Sequence, residues 1–460
     1  MENHRGRTPS QKKRTKQSRC QVIPIDTLPD EVVLVIFDFF VDKYAKNKKS
    51  VEAWQSLVHV CRRWRCIVFG SPRRLNLRLF CAANTPVRDT LDVWPPFPLV
   101  IHGSADQTKG VDNIVTVLER SDRVCQIHLC YKRVSRMEKV LAAMEGPFPE
   151  LTNLEIKMLN EPMTALPDSF LGGSSLRLRC LNFDGIPFPG LPRLLLSANH
   201  LVDLQLCNIP YSGYISPEAM ATVLSTLTSL ELLSLKFLSS LSRPDSASRP
   251  PPTRSLFPVL EMLSFEGVTK YLDDFVTCID APRLDHLDVT FFDRYVSDTP
   301  QFIQLISHTL AFEVLETAHV AFESDSAMVK LSSETAGCAR LNVKILCGRL
   351  DHLDEQVLSL QQNMDLDSPE DDIEDTPWLE LLRPFTAVKN LYLSKGIASC
   401  VASALQQLVG DRTTEVLPAL EKISLEGVRP PRPRQKGIRK FIAARQLSGH
   451  PITVFPLSKL

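Results

Sequence analysis

The chain has 460 residues, 44% of them hydrophobic and 23% charged, enough for about three domains of roughly 150 residues, or fewer if one part is a repeat array. These values lie near the average for globular proteins, which excludes wholesale disorder and a membrane-embedded body. Lys+Arg and Asp+Glu both number 53, so the zero net charge excludes a histone-like or highly acidic protein and argues against nucleic acid as a partner.

Glycine is scarce at 18 residues and proline abundant at 33, which disfavours folds built on glycine loops. The 12 cysteines include no C-x-x-C pair and no neighbouring His set, so they read as thiols; no metal or other cofactor is expected. The densest apolar stretch, Val32 to Val41, is broken by Asp38 and falls far short of the ~18 residues of a membrane span. The basic N-terminus lacks the apolar stretch of a secretory signal. The expectation is an intracellular protein, in nucleus, cytoplasm or both, without membrane contact.

In chain order, residues 1–24 read as a disordered basic tail: Arg5, Arg7, Lys12, Lys13, Arg14, Lys16 and Arg19 stand against one acid, Glu2. Its KKRTK run fits a nuclear-import signal, a weak nucleic-acid contact or a solvated terminus alike. Residues 25–75 read as a module of two amphipathic helices. The first begins at Pro29, where a missing N–H costs nothing, and Asp30 and Glu31 place negative charge on the positive helix end. Val32, Val33, Ile36, Phe39 and Phe40 form an apolar face too wide for one short helix to bury, so it needs a partner. The second helix carries Trp54, Leu57, Val58, Cys61 and Trp64, with His59 as a surface or interface residue inside it, and stops at Gly70-Ser71-Pro72. Residues 76–120 read as a linker and the entry to a repeat array.

From residue 121 to 434 an apolar-x-x-apolar-x-apolar element recurs: Val124/Ile127/Leu129, Leu151/Leu154/Ile156, Leu178/Leu181/Phe183, Leu201/Leu204/Leu206, Leu230/Leu233/Leu235, Leu260/Leu263/Phe265, Leu284/Leu287/Val289, Val388/Leu391/Leu393 and Leu420/Ile423/Leu425. The first seven copies begin 23 to 30 residues apart, close to the leucine-rich repeat range of roughly 20 to 29 residues. Each unit supplies one short strand whose apolar positions point into the stack. Pro149, Pro258 and Pro418 just before strands fix an extended approach. Phe312/Leu315/Thr317 and Leu341/Val343/Ile345 read as degenerate copies in the irregular stretch between Val289 and Val388. Residues 242–255, rich in Ser and Pro, read as an exposed loop. So do residues 363–377, whose seven acids between Asp365 and Asp375 repel one another and surround Ser368, a possible phosphorylation site. Residues 435–460 read as a helix and the strand Ile452–Phe455 that cap the last repeat, with Arg439, Lys440 and Arg445 as its polar outer surface.

No Walker loop, G-x-G-x-x-G, G-x-S-x-G or H-E-x-x-H pattern is present, so a non-catalytic protein is expected. The stretch from Ile25 through Leu28-Pro29-Asp30-Glu31 to Phe37, followed by Trp54 to Val60-Cys61-Arg62-Arg63-Trp64, resembles the F-box motif over residues 25–64, and the repeats behind it resemble leucine-rich-repeat F-box proteins. The resemblance implies an α/β protein: an F-box helical module followed by an irregular leucine-rich-repeat solenoid, a horseshoe. It further implies the substrate receptor of a Skp-cullin-F-box E3 ubiquitin ligase, joined to cullin and RING subunits through the Skp adaptor. Leu28, Pro29, Ile36, Val60, Cys61 and Trp64 would then meet the adaptor. A target protein would lie on outward strand residues, among them Glu155, Asn182, Asp203, Gln205, Glu231, Glu261, Asp285, His286, Asp288, Lys389, Tyr392 and Lys422. Acids outnumber bases there, which suits a neutral or basic segment. A ligase-independent leucine-rich-repeat interaction scaffold is the alternative.

Overall fold

A computed structural model describes residues 25–45, 53–70, 77–94, 96–104, 108–159, 166–167, 169–187, 193–239, 254–292, 300–323, 326–333, 339–346, 382–394, 405, 408, 410–426 and 436–457. The basic tail and the segment 363–377 lie outside the described residues. The chain divides into two compact units, the first ending at Leu77.

The first unit holds three helices, α1 (Asp30–Ala45), α2 (Ala53–Val58) and α3 (Arg62–Gly70), rather than two. The second predicted helix breaks at residues 59–61 because Cys61 acts as a local cap: its carbonyl accepts from Arg65 N at 3.1 Å, and its Sγ accepts from Trp64 N at 3.4 Å. His59 and Val60 therefore stand in an exposed turn. Arg63 Nη2 ties α3 back to the start of α1, donating to the Leu28 carbonyl at 2.5 Å and to Asp30 Oδ1 at 2.6 Å. Arg65 Nε donates to the Val58 carbonyl at 3.0 Å. Val33, Leu34 and Phe37 of α1 are buried, with the Phe37 ring edge-on to Trp64 at 4.8 Å. The rest of the predicted apolar face is not.

The second unit is built on strands β1 (Leu77–Cys81), β2 (Leu99–Ser104), β3 (Val124–Tyr131), β4 (Asn153–Met158), β5 (Cys180–Asp184), β6 (Asp203–Ile209), β7 (Leu232–Phe237), β8 (Ser255–Leu256), β9 (Met262–Gly267), β10 (Ile279–Asp280), β11 (His286–Phe291), β12 (Thr317–Glu323), β13 (Ser326–Ser332), β14 (Arg340–Leu346), β15 (Asn390–Leu393), β16 (Lys422–Glu426) and β17 (Thr453–Leu457). Between them lie α4 (Val87–Val93), α5 (Thr108–Leu118), α6 (Val134–Ala143), α7 (Arg193–Ser197), α8 (Pro217–Leu224), α9 (Thr269–Thr277), α10 (Pro300–His308), α11 (Leu310–Glu313) and, near the end, α12 (Lys436–Leu447). Among the described residues, 15 strands form one sheet in the order β1 to β7, β9, β11, β14, β13, β12, β15, β16, β17; β8 and β10 pair separately.

All nine repeat copies become strands of this sheet, and every one of their apolar positions is at most 4% exposed. The middle apolar residues are mutual partners from strand to strand: Ile127, Leu154, Leu181, Leu204, Leu233, Leu263 and Leu287. Each such side chain gains roughly 1.5–3 kcal/mol on burial, but only if its neighbours are present, which makes the stack mutually dependent. The strands are also laced together at their N-terminal rim. The carbonyls of the residues before β4, β5, β6, β7, β9, β12 and β15 each accept two N–H groups from the neighbouring strand's start, as Val202 does from Glu231 and Leu232, and Glu231 from Glu261 and Met262.

Three expectations change. The sheet begins inside residues 76–120, which hold β1, α4, β2 and α5 rather than a linker; their apolar residues simply alternate or run together (Leu77/Leu79/Cys81, Leu99/Val100/Ile101), without the Leu-x-x-Leu spacing. The degenerate copy at residue 312 is displaced by three positions. Leu315, Ala318 and Val320 are the buried set, Ala318 pairing with Leu391 and Val320 with Leu393, so an alanine fills the central leucine position. The stretch containing Leu341, Val343 and Ile345 is a strand, but it enters through a reversed meander in which β13 runs antiparallel to both neighbours. Of the predicted 242–255 loop, residues through 253 lie outside the described ones and Ser255 belongs to β8.

Helical segments cover the inner side, where an aromatic cluster is centred on Tyr271 of α9. Its ring lies 4.7 Å from Phe237 and 5.8 Å from Phe265, and its hydroxyl donates to the Ile215 carbonyl at 3.1 Å. Asp273 caps α10 through Oδ1, accepting from Gln301 N and Phe302 N at 2.9 and 3.0 Å. At the C-terminal end, Arg439 and Lys440 face outward as predicted, but Arg445 is 0% exposed. Its guanidinium donates to the carbonyls of Thr413, Leu417, Pro418 and Leu420 at 3.1–3.3 Å, joining α12 to the turn before β16.

Candidate functional site

Two surfaces have the character of interaction sites, one in each unit. On α1, Val32, Val35, Ile36 and Phe39 are 43, 48, 38 and 74% exposed. Their i, i+3, i+4, i+7 spacing places them on one stripe of the helix. Among the proposed adaptor residues, Pro29, Ile36 and Val60 are exposed, while Leu28, Cys61 and Trp64 are half-buried. Cys61 and Trp64 also hold the module together, through the cap and the contact with Phe37. Sequence reasoning missed Val35 and Phe69, the latter 50% exposed. Val35 was legible as the i+3 neighbour of Val32.

The second surface is the outward side of the sheet. Parallel register arrays one residue per strand along its centre: His102, His128, Glu155, Asn182, Gln205, Ser234, Ser264, Asp288 and Asn342. Beyond the meander the row continues through Lys330, His319, Tyr392, Ser424 and Phe455. The structure thus brings Glu155, Asn182, Gln205, Asp288 and Tyr392 of the predicted target set into one line. Asp203 and His286 lie in the adjoining row with Asn390 and Lys422.

Glu231, Glu261, Asp285 and Lys389 do not join these rows. They occupy the position just before their strands, at the N-terminal rim, because the strand alternation starts one residue later. Three already have side-chain partners: Arg283 meets Glu261 at 2.6 Å, His286 Nδ1 lies 2.7 Å from Asp285 Oδ1, and Lys389 meets Glu316 at 2.6 Å. Glu231 instead lines a shallow rim groove of about 650 Å³ shared with Arg177, Arg179 and His200.

Sequence reasoning missed the start of the central row. Phe80, His102 and His128 stack at 5.0 and 4.7 Å, and His128 Nδ1 lies 2.8 Å from Glu155 Oε2, whose other oxygen meets Lys157 at 2.7 Å. The hydrogen bond with His128, reinforced by Lys157, holds the Glu155 carboxyl down to about 2. Burial, with His128 and Arg78 nearby, pulls His102 down to about 4. Farther along, Asn182 Nδ2 donates to Gln205 Oε1 at 3.3 Å, Gln205 Nε2 donates to Asp203 at 3.1 Å, and the His319 and Tyr392 rings stack at 4.3 Å. Burial raises the Asp203 carboxyl above its usual value.

Chemically, the arrangement offers side chains for recognition. Burial raises the Cys180 and Cys207 thiols of the outward face, disfavouring the reactive thiolate. Among the described residues no three His, Cys, Asp or Glu side chains are grouped to hold a metal ion, and no helix is long and apolar enough to cross a membrane.

No protein-family model matches the chain. No curated protein matches it either. Among solved structures, a leucine-rich-repeat protein of Leptospira interrogans is similar to it at 12% identity and a TM-score of 0.25, over 78% of this chain and 89% of that one.

Proposed function

We propose that the chain is the substrate-recognition subunit of a Skp-cullin-F-box E3 ubiquitin ligase. The observation that carries this reading is the bare stripe Val32/Val35/Ile36/Phe39 on α1, beside a helix start fastened by Arg63. Apolar side chains aligned on one helix face without cover are what a partner groove recognises, and they lie inside the stretch that resembles the F-box motif. The Skp adaptor would take this stripe together with Leu28, Pro29 and Val60, and bring in the cullin and RING subunits. The sheet would hold the target. The chain supplies no catalytic group in this scheme; it raises the effective concentration of a target lysine at the charged conjugating enzyme, in the nucleus, the cytoplasm or both.

Co-purification with the Skp adaptor tests the reading. Phe39→Asp should abolish binding without lowering the melting temperature, since a side chain 74% exposed contributes little to the free fold. Trp64→Ala is a poorer probe because Trp64 packs on Phe37. A folded wild type that leaves the adaptor unbound would put the ligase-independent scaffold first, a role that the polar outward row supports on its own.

A further inference from the structure

The outward face of the sheet is not uniform. At β7 and β9 the central row narrows to Ser234 and Ser264, which are register partners and only 5 and 8% exposed. Both serines lie low between longer neighbours, Gln205 on one side and Asp288 on the other. In the adjoining row the same two strands carry Leu232 and Met262, both half-buried. Side-chain length alone makes this the low part of the face, a depression in that sense: two serines, with Leu232 and Met262 as an apolar wall, stand between the strands that carry Asp203 and Asp288.

The carboxylates at its margins are Asp203 on β6 and Asp288 on β11. Asp203 is half-buried and, among the described residues, takes hydrogen bonds from Gln205 alone. Burial already raises its carboxyl, so an arriving cation would relieve a cost the free protein carries. Asp288 uses one oxygen to accept from Asn342 Nδ2 at 2.8 Å, leaving the other. Lys236 and Glu266, register partners in the third row, offset each other. On the far side of β11, by contrast, the outward positions of β14 and β13 carry Arg340, Lys344 and Lys330 and no acid. A cationic ligand is thus drawn to β6–β11 and turned away from the meander.

Strands β6 and β11 are three steps apart, about 14 Å at ~4.8 Å per step, and Asp288 lies two residues, about 7 Å, beyond the register partner of Asp203, so the two are about 16 Å apart on the diagonal. An extended chain covers about 13 Å of that in four residues, and long basic side chains reach the rest. In such a chain residues i, i+2 and i+4 face the same way. We propose that this depression receives an extended target segment with two Lys or Arg side chains four residues apart, which meet Asp203 and Asp288, and an apolar side chain midway that fills the space over Ser234 and Ser264. The inference rests on, and sharpens, the target-binding half of the function proposed above.

Panning a displayed library of random nonapeptides against the full chain tests it. The selected sequences should be enriched in a basic-x-apolar-x-basic pattern, and the best of them, as a free fluorescent peptide, should bind about tenfold more weakly to Asp203→Asn and to Asp288→Asn. Ser264→Trp should abolish binding by filling the depression. Melting temperature, and adaptor co-purification of the same variants, serve as controls for folding. An enriched set without paired basic residues, affinity unchanged in both Asn variants, or no enrichment at all would overturn the proposal. Adaptor binding retained in any of those cases would leave the ligase reading standing; selection of the pattern by a chain that binds no adaptor would sink the ligase reading and keep the depression.

Discussion

Arg445 shows how one charged side chain can close a repeat array. A cap is expected to turn its polar groups outward, yet this arginine is sunk among the carbonyls of residues 413–420, where burial pulls its pKa below the ordinary guanidinium value. Arg445→Met keeps the stem but removes the donor from those carbonyls, of which Leu417's keeps Leu420 N as a partner, and should cost about 3 kcal/mol or more in urea unfolding, since each buried acceptor left unpaired costs about 1–3 kcal/mol; Arg439→Met, on the exposed side, should cost little. His102 offers a second test. Its folded value, about 4, lies below the ordinary 6.5, so below pH 6.5 the unfolded chain binds the proton first. Stability is therefore full above pH 6.5 and falls as pH drops toward 4. His102→Phe, which preserves the stack with Phe80 and His128, should flatten that part of the stability–pH curve; an unchanged slope in denaturation at several pH values would show that other groups set it. Gly185 marks a third kind of residue constraint. It turns the chain after β5 at φ +71°, and a Cβ there would stand 2.8 Å from the Met158 carbonyl oxygen. Asn208, at the irregularity near the end of β6, holds the equivalent place at φ 49°, so two different letters encode one left-handed turn.

At the scale of elements, legibility in the sequence depended on how strictly each unit keeps the repeat spacing. Nine strands were legible because Leu-x-x-Leu-x-Leu forces a bend between the first and second apolar positions and alternation after it. Strands β1 and β2 lack that bend, and β12 hides its copy by placing Ala318 where leucine is expected. The break between α2 and α3 is not legible because Cys61 is not an ordinary capping residue and the apolar spacing runs straight through it. The site was legible to the extent that register was: residues within strands fell into the outward row, whereas Glu231, Glu261 and Asp285, one position earlier, fell to the rim. Mutual dependence of the repeats also predicts how damage spreads. Leu204→Ala should cost about 2–5 kcal/mol, and hydrogen exchange should quicken in β5, β6 and β7 well before β15 and β16. Uniform quickening would mean that the second unit unfolds as one body.

At the scale of the whole molecule, two compact units differ in what they expose: a short helical one leaves an apolar stripe bare, and a long sheet presents a polar row. Under the function proposed above, docking and target choice would then change independently, because different residues carry them. The reversed meander sets an order on how the long unit can be assembled. As the chain emerges during synthesis, the strand after β11 cannot dock on it; β12 belongs three places away, and β11 keeps an open edge until β13 has doubled back and β14 has arrived. Everything up to residue 291 can zip in sequence, while β12 and β13 must wait for β14 before the gap is stitched shut. The ribosome will have made 346 residues before that stitch can form, so the nascent chain carries an unpaired strand edge from the completion of β11 at residue 291 until β14 has been made, the interval in which chaperone protection matters most.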